Sequence, residues 1–132
     1  MSKSPGHQKH PEHKVEEERV GERMRVEIGG EVVAESSDVI LVKEDGNPPR
    51  YYFPREDVRM DQLELSATTS RCPYKGMAHY FSIRAGGQRL TDAAWSYEEP
   101  YDEHSALAGR LAFYDDKMPQ IRIVTAARPQ QG

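Results

Sequence analysis

Hydrophobic and polar positions alternate in short runs from residue 24 onward, which is the pattern of half-buried β-strands. In the stretch "MRVEIGGEVVAE", Val26 and Ile28 alternate with charged neighbours and precede Gly29-Gly30, a pair typical of a tight hairpin turn. Residues 32–34 are the second arm of this predicted hairpin, and residues 39–43 are a third, more apolar strand. The first third of the chain is therefore predicted to end in a β-meander.

The same pattern returns later in the chain, where arms at residues 77–84 and 88–97 flank a second turn, Gly86-Gly87. Segment 102–109 has room for at most two helical turns, because it ends at a glycine. Further short strands are predicted at residues 50–53, 110–114 and 120–124. The expected fold class is mainly β, a small antiparallel sheet fold with at most one or two short helices.

The 132 residues fit a single domain. Residues 1–22 are highly charged and poor in apolar side chains, so the sequence predicts a disordered polar tail there, followed by one β-rich domain over residues 23–125. A flexible C-terminus is expected over residues 126–132. His7, His10 and His13 recur every third residue in the tail and could bind a transition metal, but only weakly.

Charge and composition narrow the classes of partner. The formal net charge is −4 and basic residues are interspersed with acidic ones, which argues against a nucleic-acid partner. The N-terminus has no apolar run that would indicate a secretory signal or a membrane anchor, and a lone cysteine cannot form an intramolecular disulfide or a cysteine-based zinc site. We therefore expect a cytoplasmic protein without a metal, and no phosphate-loop or dinucleotide motif indicates a cofactor.

Aromatic residues are confined to four stretches, and these stretches are the strongest functional signal. The only Trp, all seven Tyr and all three Phe lie between residues 51 and 114. Tyr and Trp carry polar groups that need a partner when buried, so a cluster rich in them favours a lined cavity over a simple core, although a core remains the alternative. The residues predicted to bind a small, anionic or sugar-like ligand are Arg50, Tyr52, Asp57, Lys75, Tyr80, Trp95, Tyr97 and Tyr114.

Two of these positions have an equally good structural interpretation. Asp57 could cap the turn that follows Pro54 instead of facing the ligand, and Trp95 could be a hydrophobic plug. His79 and His104 are predicted to be hydrogen-bonded or solvated, not catalytic.

Cys72, in the stretch "TTSRCPYKGMAHYF", offers a second chemistry. Lys75 and Arg71 could favour its thiolate form, so Cys72 is a candidate nucleophile or redox centre, with Asp57 or Tyr80 moving a proton. No second cysteine is present to resolve an oxidised thiol, and an isolated cysteine is usually an inert small hydrophobe. If Cys72 is inert, Pro73 and Gly76 form a tight turn that directs Lys75 into the cleft.

The ordered blocks "RYYFPREDV", "TTSRCPYKGMAHYFSI", "AAWSYEEPY" and "GRLAFYDDK" resemble the signature of DUF427, a domain family of unknown function that is also called nucleotidyltransferase-like. The resemblance covers roughly residues 24–124. It implies a small β-tent fold, similar to Mss4-like proteins and methionine sulfoxide reductases, with a cleft lined by the signature residues. The positions that match the family pattern are Arg50, Tyr52, Pro54, Asp57, Cys72, Lys75, Gly76, Tyr80, Trp95, Tyr97, Pro100, Phe113 and Tyr114.

The resemblance implies no established activity. Zinc-binding β-tent proteins use paired cysteines, which this chain lacks, and Asp57, Asp115 and Asp116 alone do not make the magnesium and phosphate site that nucleotidyl transfer needs. The first hypothesis is therefore a small-molecule-binding domain. An enzyme that uses Cys72 and a peptide-binding interaction module are the alternatives, and a homodimer through an exposed sheet edge is possible.

Overall fold

The computed structural model describes residues 3–126, and it confirms the predicted mainly β class. The ten strands are β1 (Val15–Val20), β2 (Met24–Ile28), β3 (Glu31–Ser36), β4 (Val39–Glu44), β5 (Arg50–Tyr52), β6 (Leu63–Cys72), β7 (Gly76–Ala85), β8 (Gln88–Tyr97), β9 (Ala112–Phe113) and β10 (Ile121–Thr125). The helical segments are α1 (Pro5–Lys9) and three short 3-10 helices, Arg55–Asp57, Met60–Gln62 and Asp102–Leu107. No helix within residues 3–126 is long and apolar enough to span a bilayer.

The strands form three antiparallel sheets in the orders β1-β4-β5, β10-β2-β3 and β6-β7-β8-β9. Both Gly-Gly hairpins are present where the alternation predicted them, as β2-β3 and β7-β8. The β-tent arrangement of the sheets stays a prediction.

Buried side chains form two clusters that join the sheets. The larger cluster includes Val26, Val33 and Ile83, and it packs β2 and β3 against the four-stranded sheet. The smaller cluster includes Val42 and Trp95, and it packs β4 and β5 against the same sheet. The four-stranded sheet is therefore the common wall of both cores, and the aromatic residues of the candidate site belong to the smaller one.

The two Gly-Gly turns touch each other at their tips. Gly29 has a φ of +56° and Gly86 a φ of +59°, and a methyl group added to Gly86 would lie 2.4 Å from the carbonyl oxygen of Ile28. The amide of Gly86 also donates a hydrogen bond of 2.8 Å to the carboxylate of Glu31. The second turn therefore fixes the β2-β3 hairpin on the four-stranded sheet.

The N-terminal segment differs from the predicted disordered tail. Val15–Val20 is strand β1, which pairs with β4 along its whole length, and α1 is anchored by hydrogen bonds from the Ser4 hydroxyl and the Gly6 amide to the carbonyl of Pro73, at 2.7 and 2.8 Å. A strand at the edge of a sheet is stabilised by backbone hydrogen bonds and needs no apolar face, so a charged sequence can occupy it. Hydrophobic alternation could not identify it.

Strand β6 is a second element without a hydrophobic signal. Most of its ten residues are exposed, and its pairing with β7 contains an irregularity between Leu65 and Thr69. Cys72 is the last residue of this strand, and the turn predicted around Pro73 connects it to β7. Of the predicted C-terminal segment, Ala126 is buried and residues 127–132 lie outside the described part of the chain.

Candidate functional site

A cavity of about 320 Å³ opens beside the smaller core cluster. The predicted site residues that line it are Arg50, Tyr52, Cys72, Lys75, Tyr80, Trp95, Tyr97 and Tyr114. The other lining residues are Val42, Glu44, Asn47, Pro48, Arg71 and Pro73. The structure thus brings together eight of the nine side chains that the sequence singled out, from four different strands, the turn between β6 and β7 and the segment after β9.

Asp57 is the exception. It ends the 3-10 helix Arg55–Asp57, its side chain is exposed and makes no capping hydrogen bond, and it does not line the cavity. The sharp turn imposed by Pro54 separates Asp57 from β5, the strand that carries Arg50 and Tyr52 to the cavity. The structure therefore does not place Asp57 for the ligand contact, the turn cap or the proton transfer considered for it.

Strand alternation explains how the aromatic wall is assembled. Trp95 and Tyr97 are two residues apart on β8 and share one face, and Tyr80 is the register partner of Trp95 on β7. The Trp95 indole donates a 3.2 Å hydrogen bond to the hydroxyl of Tyr52 on the neighbouring sheet. Tyr114 packs on Trp95 with ring centroids 4.3 Å apart. These two contacts fix the rings of Tyr52 and Tyr114 relative to Trp95.

The hydroxyl groups of the wall fall into two kinds. Tyr80 shares hydrogen bonds with Ser70 at 3.0 Å and with Tyr114 at 3.2 Å. Tyr97 is 6 % exposed, and its hydroxyl forms no hydrogen bond with any residue that the structure describes. Burial, reinforced by Tyr52, raises the pKa of Tyr97 well above its ordinary value, so this phenol stays protonated and able to donate.

Arg50 is held between aromatic rings and a carboxylate. Its guanidinium carbon lies 5.1 Å from the ring centroids of both Trp95 and Tyr114, and Nη1 is 2.6 Å from Oδ1 of Asp116. The hydrogen bond from Arg50 lowers the pKa of Asp116, whereas burial raises the pKa of the neighbouring Asp115. Arg50 is therefore part of an ion pair and an aromatic stack before any ligand arrives.

Lys75 also forms an ion pair with a carboxylate. It is 6 % exposed, and its Nζ donates a 2.5 Å hydrogen bond to Oε1 of Glu44. The other carboxylate oxygen of Glu44 is 3.1 Å from Nε2 of His13. Burial acts to raise the pKa of Glu44, but the hydrogen bonds from Lys75 and His13 outweigh it and the pKa is lowered.

The thiol of Cys72 is free and partly exposed at the cavity wall. Among the described residues, no histidine lines this cavity, so the lining provides no imidazole base to accept a thiol proton. The position of Cys72 allows contact with a ligand. The described cavity lining does not supply the histidine base on which most cysteine nucleophiles depend.

The three histidines of the N-terminal segment point to different partners. The ring nitrogens of His7 and His104 are 3.0 Å apart, and the other ring nitrogen of His104 is 2.5 Å from Glu17. His13 stacks on Tyr74 and contacts Glu44, while His10 is exposed. Within residues 3–126, no three metal-ligating side chains converge, and the predicted weak histidine site is not assembled there.

Sequence reasoning missed the carboxylates of the site. Glu44 ends β4 and Asp116 follows β9, and each meets its cation from a distant part of the chain. No local motif marks either residue. Their role could have been suspected only from the rule that a buried cation needs a paired anion.

No curated protein matches the chain. The chain does match the family model described as a domain of unknown function (DUF427), over residues 16–123, from the second residue of β1 into β10. The matched region contains the whole cavity lining. Because the match covers most of the sequence, the protein belongs to the DUF427 family.

Proposed function

We propose that this protein is a small-molecule-binding domain that takes an anionic or sugar-like ligand in the cavity lined by Trp95 and Tyr97. The observation that carries the proposal is the hydroxyl of Tyr97, a donor at the cavity wall that no described residue hydrogen-bonds, on a side chain that is otherwise almost fully buried. This hydroxyl is not sealed from solvent, so a ligand in the cavity that accepts its hydrogen bond would take the place of water there.

Size and composition of the cavity support the proposal. Its volume of about 320 Å³ falls at the lower end of the range of small-molecule sites. Aromatic rings and a few convergent polar groups line it, as is usual for such sites. The aromatic rings already hold one another in place, so a ligand would enter a preformed site and lose little affinity to reorganisation.

A thermal-shift screen followed by isothermal titration calorimetry would test this function. The screen would use sugar phosphates, nucleotides and carboxylates. We expect at least one of them to stabilise the protein, and Tyr97→Phe to weaken its binding about tenfold, because one hydrogen bond to the ligand is lost. Tyr51→Phe is the matched control, since Tyr51 is half-buried on β5 and does not line the cavity. Equal effects of the two changes, or no stabilising compound, would contradict the proposal.

Cys72→Ser separates binding from thiol chemistry in the same experiment. A ligand that is only bound should keep its affinity within about twofold in this variant, because serine is close to cysteine in size. Intact-protein mass spectrometry would show whether the wild-type protein forms a covalent adduct. An adduct that disappears in Cys72→Ser would replace the binding function with an enzyme that uses Cys72.

A further inference from the structure

Resting on the proposed function, we infer that the ligand is a hydroxyl-rich ring that carries one anionic group, and that Arg71 binds this group at the cavity mouth. Arg71 is the penultimate residue of β6, its side chain is exposed, and it lines the cavity. The sequence singled it out only as a neighbour of Cys72.

The two cations expected to bind the anionic group are already neutralised. Lys75 donates to Glu44 at 2.5 Å, and Arg50 donates to Asp116 at 2.6 Å. An anion that reached either cation would also approach a carboxylate, and the repulsion would offset much of the attraction. The inner part of the cavity is thus close to charge balance and suits uncharged groups.

Arg71 has no such partner among residues 3–126. In the part of the chain that the structure describes, no carboxylate lies within 4.0 Å of its guanidinium, whereas every other cation of the cavity lining has one. A free guanidinium presents five N–H donors in a planar fork that fits two oxygens of a phosphate or carboxylate. Its exposed position also keeps the cost of desolvation small.

The aromatic wall presents several hydroxyl groups to the cavity. Tyr80 and Tyr114 form a hydroxyl chain with Ser70, and Tyr97 adds a phenol that no described residue hydrogen-bonds. A hydroxyl both donates and accepts, so this wall matches the hydroxyls of a sugar ring better than a flat apolar group. The apolar faces of the same rings suit the C–H surface of such a ring.

The test compares matched pairs that differ by one phosphate: ribose with ribose phosphate, glucose with glucose phosphate, and adenosine with adenosine monophosphate. Inorganic phosphate alone is the fourth probe. Binding to the full-length protein would be measured by calorimetry at low and at raised ionic strength. In the pair that binds, we expect the phosphorylated member to bind about tenfold tighter than the neutral one, with an advantage that shrinks as salt is added.

Arg71→Gln should abolish the advantage of the phosphorylated member and leave the affinity for the neutral member unchanged. Arg84→Gln is the matched control, because Arg84 is an exposed strand arginine of the same sheet that does not line the cavity. If a phosphorylated compound binds and Arg71→Gln leaves its advantage intact, the inference is wrong while the binding function stands. If neither member of any pair binds, both proposals fail.

Discussion

Replacing Gly86 with alanine is expected to lower the free energy of unfolding by about 3 kcal/mol or more, because the backbone of the other hairpin turn leaves no space for the new methyl group. It would lie 2.4 Å from the Ile28 carbonyl oxygen and 2.8 Å from the Cα of Gly29, both backbone atoms that cannot move aside alone. The φ of +59° adds the cost of a left-handed conformation. Urea unfolding followed by circular dichroism would measure the loss.

Gly87→Ala is the matched control for this prediction. Gly87 is the next residue of the same turn and has a φ of +75°, but an added methyl group would meet nothing within 4 Å. Gly87→Ala should therefore lower the free energy of unfolding by only about 1 kcal/mol, the cost of placing alanine in a left-handed backbone conformation. Similar losses in the two variants would show that the contact between the two hairpin tips contributes nothing.

The hairpins were predictable because their signals are local. Alternation around Gly29-Gly30 and Gly86-Gly87 specifies both the strands and the turn between them within about a dozen residues. Strands β1 and β6 have no such signal, since one is charged and the other mostly exposed. Their pairing depends on the backbone edges of β4 and β7, which a sequence pattern does not reveal.

The aromatic half of the candidate site was predictable for a similar reason. Tyr and Trp reveal their need for both burial and a partner by residue type, and the spacing of Trp95 and Tyr97 places them on one face. The charged half was not predictable, because the partners of Arg50 and Lys75 lie 66 and 31 residues away. The sequence indicated two free cations. The folded chain pairs both and leaves Arg71 free of a carboxylate within the described residues.

The turn that carries Lys75 is held from outside by the N-terminal segment. Ser4 and Gly6 hydrogen-bond the carbonyl of Pro73, and a methyl group on Gly6 would lie 2.7 Å from the ring of Tyr74. His13 contacts Glu44, the partner of Lys75. Because both ends of the ion pair are supported in this way, Lys75 and Glu44 have little freedom to separate, and the pair should contribute to stability.

Lys75→Met should accordingly destabilise the protein by about 2 kcal/mol at neutral pH, because it leaves the partly buried carboxylate of Glu44 without its cation. Methionine keeps most of the apolar stem of lysine, so packing is preserved. The pKa of Glu44 is lowered in the folded protein, so its contribution is present above the ordinary value of 4.5 and is lost as the pH falls through the lowered pKa. The loss of stability on acidification should therefore be smaller in Lys75→Met than in the wild type, as measured by urea unfolding between neutral and acidic pH.

Lys43→Met is the matched control, because Lys43 directly precedes Glu44 on β4. Lys43 pairs with Glu18 at 3.2 Å, but both side chains are about half exposed, so the solvent screens the pair and its removal should cost less than about 0.5 kcal/mol. Glu44→Gln should cost about as much as Lys75→Met, and the double variant should lose less than the sum of the two, since each single change already breaks the same pair. Additive losses, or an unchanged acid response in Lys75→Met, would mean that Lys75 and Glu44 lie side by side without stabilising each other. The charge balance inferred for the inner cavity depends on that coupling, because an uncoupled Lys75 would be free to bind an anionic ligand itself.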